Sequence, residues 1–455
     1  MIHPKIEGDT CTESELLESI QKDSFGYFLH ETDPQNGLVL DKTAAAWPAS
    51  IAAVGMALTA YPIGVEHHWL SRQHAIDRTL LTLRFFATSE QSEAVDATGY
   101  KGFYYHFLDM QSGRRAWQCE LSSIDTALLM AGILTAAAYF QQDTPDETEI
   151  RRLADMLYQR VDWEWMRAGA PVICHGWKPE GGFLQWHWEG YDEALILYVL
   201  ALGSPTHPIP SSCYEAWAST YEWKTLYGID HLYASALFIH QLSHCWIDFR
   251  AIRDPFMRAH DCDYFENSRR AARVQQQYAI QNPLAFAHYG EFCWGVTASD
   301  GPGDASIKMQ GVERTFYDYV ARGVPFGPDD GTLAPWAVVA SLPFAPEIVL
   351  PTIDHFNRLR LCEVNPYGFK ASFNPSFPTT PQRKAGWVSP YHFGINEGPT
   401  VIMVENYRSG LIWQLLRTCA PVVTGLRRAD FSGGWLDAGI ASAAKNAASG
   451  LSVVR

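Results

Sequence analysis

The sequence predicts an all-α protein whose helical hairpins close into a toroid. Apolar residues recur at helical spacing in about a dozen segments with recognisable caps, while runs with strand-like alternation are few. The segments fall in pairs. The stretches between them, such as "ICHGWKPEGGFLQWHWEG" and "NPYGFKASFNPSFPTTPQRKAGWVSPYHFG", are long, aromatic and rich in Gly or Pro, as functional loops are. No Pro/Gly/Ser linker or charge block divides the chain. One domain spanning residues 1–455 is therefore expected, with the loops gathered at one end as a cleft. An open helical solenoid would demand a sequence period, and none is present.

In chain order, Glu13–Glu31 opens on an acidic residue, which suits the positive end of a helix dipole. Ser50–Tyr61, Ser71–Thr88 and Ser123–Phe140 open on N-capping serines, and Glu147–Trp165 again on an acid. Tyr191–Leu202 is an apolar run ending at Gly203, where a C-terminal cap belongs. Ser211–Trp223 and Asp263–Asn282 open on capping residues, and between them Leu232–Cys245 follows apolar periodicity. Val312–Ala321 is read the same way, Thr332–Leu342 begins on a cap, Pro346–Arg360 on a proline suited to the first turn, and Val401–Arg417 is again periodic.

Of the 455 residues, 47% are hydrophobic and 13% aromatic, with 16 Trp, 21 Tyr and 23 Phe. That exceeds what packing requires and points to a surface that stacks on flat ligands such as sugar rings. Against 35 basic residues stand 50 acidic ones, a net charge of −15 that would repel a phosphate backbone and excludes nucleic acid as partner. The apolar run from Ala44 is interrupted by Pro48 and Pro62 and falls short of the roughly 20 residues of a membrane span. Nine cysteines, without a C-x-x-C pair, read as buried free thiols in a reducing compartment. The expected location is cytoplasmic, or periplasmic where a leader is removed.

Two carboxylate sites stand out. In "GWKPEGGFLQWHWEGYDEALILYVLALG", Trp177, Trp186, Trp188 and Tyr191 surround Glu189, Asp192 and Glu193, and Glu193 falls in the first turn of the apolar helix that follows. A carboxylate there complements the helix dipole, but aromatic walls also desolvate it and raise its pKa toward that of a general acid. In "GFYYHFLDMQSGRRAWQCELSSIDTALLMAGIL", Asp125 stands three residues after Ser122. The spacing is that of a capping box with Asp in the Glu/Gln position. It is equally an acid at the start of an apolar helix, reached through an aromatic loop containing Tyr104 and His106. In a helical toroid both acids would face one cleft. Two carboxylates across a sugar-binding groove are the minimum machinery of glycoside hydrolysis.

Other clusters read as structural or remain open. Asp261, Asp263 and Glu266 beside Arg269 and Arg270 form a cap and salt-bridge group. Trp294 and Asp300 in "EFCWGVTASDGPG" fit a turn or a sugar contact equally, and "GPDDGT" is similar. "HQLSH" places His240 and His244 four apart, on one face of a helix, but Gln241 replaces the glutamate a zinc protease needs and no third ligand follows by spacing. No nucleophile elbow, P-loop or dinucleotide fingerprint is present.

The runs "ELSSIDTALLMAGIL", "YDEALILYVLALGSPTHPIP", "IHQLSHCWIDFR", "DYFENSRRA", "WGVTASDGPG", "DGTLAPWAVVASLPFAPE" and "EGPTVIMVENYRSGLIW" resemble, in order, the glucoamylase-like glycoside hydrolases of bacteria. That family includes endo-β-1,2-glucanases and is related to the cyclisation domain of cyclic β-1,2-glucan synthases. The resemblance implies an (α/α)6 toroid that acts on β-1,2-linked glucan without metal or cofactor. It also implies that the "HQLSH" histidines are core or supporting groups. It assigns the acid to Glu193 in the Y-x-E motif and an essential cleft carboxylate to Asp125 in the I-D-T motif. Where family members read I-D-Q-G-P, this chain has "INEGP", so Asn396 cannot serve as a base there and Glu397 is the candidate. Trp186, Trp188, Tyr191, Tyr104, His106, Trp294 and Asp300 are expected to bind substrate. The alternatives are a transglycosylase on the same polymer, a glucan-binding protein without catalysis and, last, a metallohydrolase.

Overall fold

The computed structural model describes residues 12–309, 311–362, 365–380 and 383–438. It is mostly helical. The helices are α1 (Glu13–His30), α2 (Ile51–Glu66), α3 (Arg72–Thr88), α4 (Ser123–Tyr139), α5 (Pro145–Arg160), α6 (Leu195–Gly203) and α7 (Ser211–Ala218) in the first half. They continue with α8 (Pro255–Ala259), α9 (Tyr264–Gln281), α10 (Pro335–Ala340), α11 (Pro346–Arg358), α12 (Gly394–Arg408), α13 (Leu411–Leu416) and α14 (Ala420–Arg428). No helix among the described residues is long and apolar enough to cross a membrane.

Two kinds of helix alternate. Helices α2, α4, α6 and α10 are apolar around most of their circumference and almost wholly buried, whereas α3, α5, α9 and α11 bury one stripe. Helix α2 packs on α4, α4 on α6, and α12 on both α10 and α2, while α1 covers α12 and α3 lies along α5. The α2–α4 contact is set by glycines. A Cβ on Gly132 would sit 2.1 Å from the Gly55 carbonyl oxygen, and one on Gly55 2.3 Å from that of Leu128. Gly132→Ala is therefore expected to destabilise the fold by about 1–3 kcal/mol, although alanine is the better helix former. Urea unfolding measures this; a neutral result would mean that the two helices can part freely.

Several expected elements differ. Val312–Ala321 is not helical: Val312–Phe316 pairs antiparallel with Ala305–Met309, and Val320–Ala321 with Ala298–Ser299. The run "VERTFYDYV" is rich in β-branched and aromatic residues and follows Gly311, which turns the chain at φ +84°. Leu232–Cys245 is also not one helix. A strand pair, Trp223–Leu226 with Ile229–Leu232, is followed by two 3-10 turns, Leu237–His240 and Leu242–Cys245. Thus His240 and His244 do not share an α-helical face. Val401–Arg417 is split by Gly410 at φ +70°, giving the longer α12 and the short α13.

Gly203 is the last residue of α6, and its missing side chain serves packing instead of a left-handed cap. A Cβ there would meet the Pro421 carbonyl oxygen at 2.0 Å, and one on Gly425 would meet that of Val199 at 1.8 Å, so α6 and α14 touch through a glycine from each side. The eight cysteines among the described residues are free thiols, six buried and two half-buried. Asp263 caps α9 by accepting from the Glu266 amide, and Glu266 pairs with Arg270 at 3.0 Å and Arg269 at 3.5 Å, as the cap and salt-bridge reading has it.

Candidate active site

Short β-pairings stitch the loops at the helix starts together. Leu121–Ser122, immediately before α4, pairs with Gly176–Lys178, and that strand pairs with Gly182–Phe183. The Asp125 helix and the tryptophan loop leading to Glu193 are thereby held side by side. The approach is close enough that a Cβ on Gly176 would lie 2.3 Å from the Leu121 carbonyl oxygen. Likewise Ala49–Ser50 pairs with Phe107–Leu108, Lys42 bridges to Phe393, and Ala298–Ser299 pairs with Val320–Ala321.

These loops enclose a cavity of about 570 Å3. Six carboxylates line it, from Asp41, Glu120, Asp125, Glu193, Asp300 and Asp318, against the cations Lys42 and His106. Trp47, Phe107, Trp188, Tyr319, Trp336 and Phe393 supply ring surface. Such a lining repels anions and suits a neutral, hydroxyl-rich ligand.

Glu193 sits in the turn just ahead of α6, two residues before its first helical residue, and not in the first helical turn. Among the described residues its carboxyl forms no hydrogen bond. Burial, then the charges of Asp125 and Asp192, push its pKa to about 8, despite the opposing pull of His106. At neutral pH it holds a proton. Its neighbour Asp192 is raised by burial to about 7 but is occupied by the Ala194 amide at 2.9 Å and the Trp217 indole at 3.2 Å.

Asp125 lies in the first turn of α4. Ser122 Oγ accepts from its amide at 3.1 Å, as an N-cap does, and donates to its Oδ2 at 2.5 Å. His106 Nε2 lies 3.6 Å from the same oxygen, and His106 Nδ1 is 3.0 Å from Glu120 Oε1. Burial opposes protonation of the imidazole, but Asp125, Glu120 and Asp41 outweigh it and hold His106 at about 9.

The other expected residues divide. Trp188 lines the cavity, donating to Ser123 Oγ at 2.9 Å and stacking on His175 at 3.8 Å. Asp300 lines it too and accepts from Ser389 Oγ at 2.7 Å. Tyr104 and Trp294 do not reach the cavity: Tyr104 is fully buried with its hydroxyl on the Phe86 carbonyl, and Trp294 donates to Thr352 Oγ1 at 2.9 Å. Tyr191 packs among Tyr221, His240 and Tyr264, and Trp186 is 63% exposed outside the cavity lining. Glu397 is buried away from the cavity, accepting from His392 Nδ1 at 2.8 Å, while Asn396 lines the wall. His240 and His244 are held neutral by burial, both near 3; His240 lies against the Ala234 carbonyl and His244 against Ser268 Oγ at 3.0 Å.

Asp41, Lys42, Trp47, Glu120, Asp318 and Tyr319 were not anticipated. Lys42 sits over the rings of Trp47 at 4.1 Å and Tyr391 at 4.7 Å, and Trp47 donates to Asp41 Oδ2 at 2.9 Å. The "LDKTAAAWP" segment carried a local signal for this, a charged pair before an apolar run.

Residues 185–420 match the glycoamylase family model. Over 452 residues the chain is 26% identical to an exo β-1,2-glucooligosaccharide sophorohydrolase (non-reducing end) of Parabacteroides distasonis, covering 92% of this chain and 58% of that protein. This chain thus spans a little over half the length of that relative. Two solved structures are 25% identical to it: an endo-β-1,2-glucanase of Chitinophaga pinensis with sophorotriose and glucose, and a β-1,2-glucanase of Parabacteroides distasonis. The first has a TM-score of 0.79 and covers 94% of this chain and all of the other, 100%. The second has a TM-score of 0.80, with 92% and 60%. With the family match spanning just over half of the sequence and enclosing Glu193, Asp300 and Asn396, the chain belongs to the glycoamylase family.

Proposed function

We propose that the chain is a glycoside hydrolase that cleaves β-1,2-linked glucan within an (α/α)6 toroid, the cavity being its aromatic-walled cleft. The toroid is supported by the contact series α2, α4, α6, the Leu242–Cys245 turn, α12 and back to α2, and by Gln241, whose amide donates to Ala337 O on α10 and to Oγ of Ser341, which caps that helix. The single observation that carries the activity is a Glu193 carboxyl, without a hydrogen-bond partner among the described residues, sharing one cavity with Asp125; burial and its acidic neighbours push its pKa up.

Glu193 donates its proton to the glycosidic oxygen as the C–O bond breaks. Asp125, whose Oδ1 is unoccupied among the described residues, takes a proton from the attacking water or meets the anomeric carbon itself. Trp188, Trp47 and Phe107 offer ring faces to the sugars, and Asp300, Lys42 and Asn396 offer hydroxyl partners. Glu397, committed to His392, supports the wall and leaves the second carboxylate role to Asp125. Because Asn396 can orient but not deprotonate water, transfer to an acceptor hydroxyl is the second reading.

Incubation with linear β-1,2-glucan, with β-1,3- and β-1,4-glucans alongside, is expected to give short β-1,2-oligosaccharides and no products from the other two, as followed by chromatography. Products longer than a defined starting oligosaccharide would establish transfer. Silence on all three polymers would remove the hydrolase reading.

A further inference from the structure

Asp125 is held asymmetrically. Its Oδ2 receives the Ser122 hydroxyl and faces His106 Nε2, while Oδ1 has no partner among the described residues. The opposite side of the imidazole is occupied by Glu120 Oε1, 3.0 Å from Nδ1, and the ring face lies on Phe107 at a centroid distance of 3.9 Å. A ring hydrogen-bonded at Nδ1, ion-paired at 3.6 Å through Nε2 and stacked on one face has little freedom to rotate. We propose that Glu120 and His106 are positioning residues for Asp125: a carboxylate–imidazole–carboxylate line that fixes one oxygen of Asp125 and directs the other into the cavity.

This rests on the reading of Asp125 as the second catalytic carboxylate. The groups that face His106 come from every loop around it: Asp41 ahead of α2, Glu120 and Asp125 ahead of and within α4, and Glu193 ahead of α6. Lys42 faces Asp41, and Lys178 and His175 face Glu120. Three of the four acids facing the ring favour its cation across neutral pH, and Glu193 is neutral there. Burial raises the cost of ionising Glu120, yet the hydrogen bond and charge of His106, the backbone amide of Glu120 itself and Lys178 together outweigh it and lower the Glu120 carboxyl below its ordinary range.

The test has two arms. In the first, His106→Gln keeps a hydrogen-bonding side chain but removes the cation. On β-1,2-glucan kcat is expected to fall about tenfold with KM little changed, because the bound sugar is still held while the carboxylate is no longer aligned. An unchanged kcat, with or without a rise in KM, would mean a packing role and overturn the proposal. In the second, histidine-labelled protein is titrated by NMR, with His106 assigned from the signal missing in His106→Gln. Glu120→Gln and Asp125→Asn are each expected to lower the His106 midpoint by a unit or more. A wild-type midpoint at the ordinary imidazole value, or one unmoved by either variant, overturns the proposal whatever the substrate proves to be. The expected midpoints in a protein that leaves glucan untouched would support the line of residues and reject the hydrolase reading alone.

Discussion

Glu193→Gln is expected to reduce turnover of β-1,2-glucan by about 10²–10⁴-fold while leaving glucan affinity and the fold intact. The variant keeps the shape of the protonated carboxyl and removes only its proton, so the loss falls on kcat. The same change alters stability in a direction that chemistry alone does not require. In the folded chain Glu193 is raised from its ordinary 4.5 to about 8 by burial and by Asp125 and Asp192, so folding favours its protonated form. Its contribution is fully present below about pH 4.5 and is lost as pH rises through about 8. Glutamine cannot ionise. Glu193→Gln should therefore match the wild type in stability near pH 4 and exceed it increasingly toward pH 8. Kinetics and calorimetry across that range measure both effects; wild-type turnover in the variant would remove Glu193 from the mechanism.

Arg322→Met is expected to cost about 3–5 kcal/mol of stability, the range for breaking a buried ion pair from one side. The Arg322 and Asp330 side chains are both fully buried, with Nε and one terminal nitrogen of the guanidinium each 2.8 Å from an Asp330 oxygen. The remaining donors reach the carbonyls of Ser299 at 2.6 Å, Tyr317 at 3.0 Å and Asp318 at 3.1 Å. The clamp therefore holds the segment that brings Asp318 and Tyr319 over the cavity. With Arg322 gone, Asp330 is a buried charge without a counter-ion and three carbonyls lose a donor. KM for glucan should rise with the loss of stability, as the cavity wall loosens. Arg322→Met with Asp330→Leu should recover most of the stability and little of the KM. Urea unfolding and steady-state kinetics separate the two; a single variant costing under about 1 kcal/mol would show that the pair does not hold the loop.

The amphipathic helices were legible almost to the residue. Glu13–His30, Arg72–Thr88 and Tyr264–Gln281 each carry an apolar stripe and a capping side chain at the start, so both the period and the boundary are written locally. Helix α8, a single turn of five residues, passed unnoticed, as did α14, Ala420–Arg428. Val312–Ala321 was misread because ten residues of mixed aromatic and β-branched character fit either period, and hairpin pairing with Ala305–Met309 decides between them.

At the site, Asp125 and Glu193 could be picked out because each is an acid beside the start of an apolar helix approached through an aromatic loop. Aromatic content could not say which rings face the cavity. Tyr104, Trp294 and Trp188 look alike in sequence and all place their polar tips on buried partners, yet only Trp188 also lines the cavity. "INEGP" was ambiguous for a similar reason, since adjacent residues on a helix start point in different directions: Asn396 faces the cavity and Glu397 faces His392.

By itself, then, the sequence determined the helical class and the family and singled out Asp125 and Glu193 as candidates, all of which rest on local periodicity, local burial cues and contiguous motifs. The tertiary structure alone decided which loops meet. Asp41, Lys42 and Asp318 reach the cavity through pairings between distant segments, Ala49–Ser50 with Phe107–Leu108 and Ala298–Ser299 with Val320–Ala321, and the glycine contacts between helices set how closely those segments approach. The pKa of Glu193 belongs to that second group, because the carboxyl is raised chiefly by burial and by the charge of Asp125, which folding brings to it, and only Asp192 among the causes is its neighbour in the chain.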